Sequence, residues 1–82
     1  MTGEIIIAAW PKNGRETLRV RLDTFKGNTV IDCRSWYEAD GGLKPGRGGL
    51  TVGIRHLPAL AQAMAQALTT AKAAGLLRDD GQ

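Results

Sequence analysis

The sequence predicts an α+β domain in which four strands precede a single helix. Three observations carry this. Apolar residues alternate with cations through Leu18-Arg19-Val20-Arg21-Leu22, the two-residue period of a half-buried strand. Turn signals at Asn13-Gly14 and Lys26-Gly27 separate strand-like stretches by hairpin-sized gaps. Beyond Leu57 the apolar residues recur at three- and four-residue steps instead, the period of a helix with one apolar stripe.

Residues Glu4 to Trp10 are rich in β-branched side chains and read as the first strand. Pro11-Lys12-Asn13-Gly14 turns the chain. A two-residue loop at Asn13-Gly14 would set Trp10 opposite Thr17, Ala8 opposite Arg19 and Ile7 opposite Val20. Leu18, Val20 and Leu22 then form the apolar side of a second strand, and Arg19 and Arg21 its cationic side. A turn at Lys26-Gly27 places Leu22 opposite Ile31, Val20 opposite Cys33 and Arg21 opposite Asp32. Moving that turn to Gly27-Asn28 would oppose Arg21 to Arg34 and Asp23 to Asp32, like against like, so the first register is preferred.

These registers gather side chains that are scattered in the sequence. Trp10 and Trp36 are expected to flank Thr17 on the face that carries Arg19, Arg21 and Arg34. Indoles beside guanidinium groups make a surface on which nucleobases stack and phosphates pair. Glu38 to Gly49 reads as a Gly-rich basic loop, with Lys44 and Arg47 placed to drape over a nucleic-acid backbone. Leu50, Val52 and Ile54 alternate as a fourth strand. The helical stripe is Leu57, Leu60, Met64, Leu68 and Ala71, with Pro58 in the first turn and Gly75 as the stop. The domain is expected over residues 1–76, with a disordered polar tail at 77–82.

At 82 residues the chain is one domain with a marginal core of its own. A homodimer is the expected remedy, with Leu57, Leu60, Met64 and Leu68 as core or interface. The net charge is +3, and nine of the eleven Lys and Arg residues precede the Ala-rich helix, so the basic surface belongs to the sheet. Cys33 and His56 are the only residues of their types. They offer no disulfide, no metal cluster and no convergent acid–base set, so neither an enzyme nor a cofactor or metal is expected. Gly41 to Gly46 has the spacing of a phosphate loop, but Arg47-Gly48 stands where Lys and Ser or Thr are needed. Ile5 to Ala9 is too short to span a bilayer and lacks the flanks of a signal peptide, so no membrane partner and a cytoplasmic location are expected.

From residue 17 to about residue 70 the chain resembles the C-terminal domain of the transcriptional coactivator family called positive cofactor four. The resemblance rests on Phe25-Lys26-Gly27, Ile31-Asp32-Cys33-Arg34, Trp36-Tyr37, Lys44-Pro45-Gly46-Arg47 and Gly49-Leu50-Thr51-Val52, in that order. It implies a four-stranded, curved antiparallel sheet followed by one C-terminal helix, in a homodimer with helices at the interface. It also implies sequence-nonspecific binding of single-stranded or unpaired DNA. By position the family's basic contacts fall on Lys26, Arg34, Lys44 and Arg47, and its stacking aromatics on Phe25 and on Trp36-Tyr37. Its key aromatic falls at Tyr37, whereas the strand register selects Trp36. Asn28 and Gly48 stand where basic residues are common in the family, which implies fewer phosphate contacts. The expected role lies in transcription regulation, replication or repair, in a stand-alone bacterial or phage form. DNA and RNA are both open as the strand bound. The alternative is a protein-interaction module that recruits polymerase or a repair factor.

Overall fold

The computed structural model describes residues 3–77. Four strands run in order, β1 (Ile5–Pro11), β2 (Glu16–Phe25), β3 (Asn28–Ala39) and β4 (Gly42–Gly53). A 3₁₀ turn (Ile54–His56) leads into helix α1 (Leu57–Ala73). The strands form one sheet in the order β1-β2-β3-β4, and each neighbouring pair is antiparallel. The expected α+β order is therefore present. Ile54, expected as the last residue of the fourth strand, instead opens the 3₁₀ turn. Of the expected polar tail, residues 78–82 lie outside the described residues.

The central hairpin follows from local chemistry. Lys26 (φ 53°) and Gly27 (φ 80°) both take positive φ, as a two-residue type I′ turn demands, and Phe25 pairs with Asn28. From that turn the register runs unbroken through Leu22↔Ile31, Arg21↔Asp32, Val20↔Cys33, Arg19↔Arg34 and Thr17↔Trp36. All the pairings expected of this hairpin are observed.

The first hairpin differs. Gly14 is not in the positive-φ region, and no two-residue loop forms. Asn13 Oδ1 accepts from the backbone N–H groups of Arg15 and Glu16, each at 2.9 Å, while the Lys12 N–H donates to the Glu16 carbonyl at 2.9 Å. The Asn side chain thus closes a longer turn by itself bonding to the backbone. The register shifts by one residue, setting Trp10 opposite Leu18 and Ala9 opposite Arg19. A bulge between Ile6 and Ala8 absorbs the shift, and Ile6 pairs with Arg21. Trp10 therefore belongs to the Leu18 face, opposite to the one expected.

The Gly-rich segment is the other correction. Glu38 to Gly49 is not a loop: β3 runs through Ala39, a tight turn follows with Gly41 at φ 84°, and β4 begins at Gly42. Pro45 is tolerated inside β4 because this is an edge strand with one row of donors unpaired. Between Arg34↔Gly49 and Trp36↔Pro45 the pairing shifts, so Ser35 alone is opposed by residues 46–48. Gly46 and Gly49 permit this crowding. A Cβ at Gly46 would lie 2.9 Å from the Ser35 carbonyl oxygen, and one at Gly49 would collide with Arg34 Cβ.

Helix α1 holds Pro58 in its first turn and ends in a Schellman motif. Gly75 (φ 76°) donates to Lys72 O at 3.1 Å, and Leu76 donates to Ala71 O at 2.8 Å. No α1 residue is buried. Among the described residues, the buried apolar set is Val30, Ile31 and Trp36, with Asp32 beside them. The radius of gyration is 14.7 Å, against about 12 Å for a compact chain of this length. Ile5, Ile7, Trp10, Met64 and Leu68 keep roughly half of their surface in solvent.

Candidate nucleic-acid interface

Strand parity and the β2–β3 register put Arg19, Arg21, Asp32, Arg34 and Trp36 on one face of the sheet. At its centre Asp32 is 2% exposed and fully engaged. Arg21 Nε donates to Asp32 Oδ2 at 3.0 Å, Arg34 Nε to Oδ1 at 2.9 Å, and Thr51 Oγ to Oδ1 at 2.6 Å. Burial alone would favour protonation of this carboxyl. The hydrogen bonds from Thr51, Arg34 and Arg21 outweigh it and hold Asp32 below the usual carboxylate range.

Both arginines are tied down further. Arg21 Nη1 also bonds Asp23 at 2.9 Å and the Glu4 carboxylate. Arg34 Nη1 donates to Gly46 O at 3.0 Å and Nη2 to Thr51 Oγ1 at 2.9 Å. Arg34 thus clasps the β4 bulge from across the sheet. The exposed Lys44 and Arg47, which flank Gly46, are presented on a strand edge held by that clasp.

Trp36 lies on this face as the register requires, but it is only 9% exposed. The guanidinium carbons of Arg19 and Arg21 stand 4.3 and 5.2 Å from its ring centroid, a cation–π pairing worth about 0.5–2 kcal/mol. Arg19 Nε and Trp36 Nε1 are both buried without a hydrogen-bond partner. Phe25 is open to solvent, with Lys26 Nζ 5.4 Å from its ring centroid. Between Phe25 and Pro45 runs an open concavity of about 640 Å³, lined also by Val30, Arg21, Arg34 and Thr51. Asp23 and Asp32 line it too, so its polar wall carries both signs of charge.

Of the residues singled out in the sequence, the structure brings together Arg19, Arg21, Arg34 and Trp36, with Phe25 and Lys26 at the turn end of the same sheet. Trp10 is set apart on the Leu18 face. Tyr37 has the opposite parity to Trp36, pairs with Lys44 and is 42% exposed. Thr51 and Gly46 entered only as parts of longer motifs, and Glu4 and Asp23 only as strand positions, although all four fix the two central arginines. Only the β3–β4 register could have pointed to Thr51: Asp40-Gly41 signals that turn, but the bulge opposite Ser35 then moves Thr51 onto Asp32, and no pattern in the sequence marks the bulge.

The family model described as Transcriptional Coactivator p15 (PC4) matches residues 12–63. Among solved structures, a PC4 homologue from Burkholderia pseudomallei is similar with a TM-score of 0.68 and 23% identity. The similarity covers 79% of this chain and 97% of that one in a tetragonal crystal form, and 89% of that one in an orthorhombic form. A bacteriophage T5 homologue of the eukaryotic coactivator PC4, described as implicated in recombination-dependent DNA replication, is similar with a TM-score of 0.58 and 17% identity. That similarity covers 92% of this chain and 83% of the phage one. No curated protein matches the chain.

Proposed function

Because this chain belongs to the transcriptional coactivator p15 (PC4) family, we propose that it binds single-stranded or unpaired DNA without sequence preference, as a homodimer and without catalysing a reaction. The observation that carries this reading is the shared face of Trp36 with Arg19, Arg21 and Arg34, continued by the Phe25 concavity. A base stacked on an aromatic ring gains roughly 1–3 kcal/mol whatever its identity. Exposed Lys26 and Arg47, with Lys44 beside Tyr37 on the edge strand, supply cations for phosphates. Double-stranded DNA keeps its bases stacked inward and cannot use the rings.

The dimer accounts for a stripe in which Leu57 and Leu60 are only half-buried and Met64 and Leu68 exposed, and for so small a buried set in one protomer. The setting that fits is transcription, replication or repair in a cytoplasm or nucleoid. The replication role described for the phage T5 homologue supports that setting. The uncovered apolar residues of β1 and α1 favour a second reading, a module that recruits a protein of the DNA-handling machinery.

A titration with an unstructured oligonucleotide and a matched duplex at physiological salt tests the proposal, with a sizing measurement on the free protein. Nanomolar to low-micromolar binding that prefers the single strand is expected. An intact fold that binds neither would sink the proposal and favour the protein-recruiting reading.

A further inference from the structure

Trp36 is the aromatic ring at the centre of the cationic face, yet its ring is closed off in the free protein. Two guanidinium groups lie against it, and they are held in different ways. Arg21 is anchored by Asp32, Asp23 and Glu4. Arg19 has no hydrogen bond or ion pair among the described residues, and only the ring holds it. Its cross-strand neighbour is Arg34, a like charge. The closed arrangement also leaves Arg19 Nε and Trp36 Nε1 buried without acceptors, an unfavourable state for any donor.

Resting on the single-strand reading above, we propose that Arg19 and Trp36 form a closed subsite for one nucleotide. Arg19 leaves the ring to pair with a phosphate, and a nucleobase takes its place against the indole. The exchange relieves every defect of the closed state. Arg19 Nε gains a phosphate oxygen, the Arg19–Arg34 repulsion is neutralised, and Trp36 Nε1 becomes free to donate to the ligand or to water. The cation–π contact given up is replaced by a base–indole stack of at least equal strength. Arg21 stays in place and keeps the indole oriented. Pro45 pairs with Trp36 and lines the Phe25 concavity, so a base on Trp36 would extend a row that begins at Phe25.

The W10F variant makes Trp36 the only indole and so the reporter of its own occupancy. Labelled oligothymidine followed by anisotropy reads binding, and Trp36 emission reads the subsite in the same titration. We expect Trp36 emission to fall about twofold with the midpoint of the anisotropy curve. In the free W10F protein, R19A should raise the acrylamide quenching of Trp36 about twofold by removing its cover, and the log–log salt slope of binding should flatten by about 0.7. R19K, which retains the charge but not the planar stack, should also uncover Trp36 and serves if R19A does not fold. Binding by anisotropy with Trp36 emission unchanged would overturn the subsite and leave the single-strand reading standing. Equal acrylamide quenching with and without Arg19 would overturn it too. No anisotropy change with any single strand would remove both.

Discussion

Arg21 Nε and Asp32 Oδ2 lie 3.0 Å apart across β2 and β3, with Asp32 only 2% exposed. This ion pair joins the middle of the sheet to its charged face. Removing one partner of a buried pair leaves the other charge uncompensated. Asp32→Asn is expected to cost about 3 kcal/mol, read as a lower urea midpoint. A cost near zero would mean that Glu4 and Asp23 suffice to hold Arg21.

The same carboxyl sets a pH dependence. Its folded pKa is depressed, so its contribution is fully present above the ordinary carboxylate value and is lost as pH falls through the folded one. The melting temperature is expected to decline below about pH 4, and Asp32→Asn should flatten that decline. An identical acid limb in the variant would assign it to other carboxylates.

Two neighbouring glycines should respond to very different degrees. A Cβ at Gly49 would collide with Arg34 Cβ and come within 3.0 Å of Cys33 O, whereas one at Gly48 meets nothing within 4 Å. Gly49→Ala is expected to destabilise by about 1–3 kcal/mol, and Gly48→Ala by less than about 0.5 kcal/mol. Thermal melts of the two variants make the comparison.

Cations of the sheet divide into those with internal partners and those without. Lys44→Ala and Arg47→Ala should each flatten the log–log salt slope of oligonucleotide binding by about 0.7, from a parent slope near −3 if about four phosphates are contacted. Arg34→Ala removes the clasp on Gly46 O and the bond to Asp32, so its effect should appear first in the melting temperature. Salt-independent binding of the parent protein would remove the phosphate contacts from the picture.

Light scattering on the free protein should give about twice the 8.8 kDa chain mass. Met64, 59% exposed in one protomer, stands on the α1 stripe, and Met64→Asp should return the protein to the single-chain mass or abolish folding. An unchanged dimer would move the interface off α1.

The parts of the fold that could be read from sequence are those fixed by local chemistry. Lys26-Gly27 admits one turn geometry, and from it the pairing of Arg21 with Asp32 and the placing of Trp36 among the arginines follow by counting. The first hairpin resisted the same count because Asn13 closes the turn with its side chain and the Ile7 bulge then takes up the extra residue. Alternation does not reveal a bulge where Ile5, Ile6 and Ile7 are alike. Leu50 and Val52 were legible as a strand, but its first part, residues 42–49, was hidden because glycine and proline usually mark loops, and here they serve the close approach of an edge strand to Ser35 and Arg34. The placing of the Arg19 guanidinium against the Trp36 ring is a side-chain arrangement that no sequence pattern encodes.

The extra residue at Ile7 lets both ends of β1 meet β2. Deleting it would close the bulge, with Trp10 still against Leu18 and Ile6 still against Arg21. The face on which the indole sits is therefore decided by the Asn13 turn beside it, and not by the irregularity further along the strand.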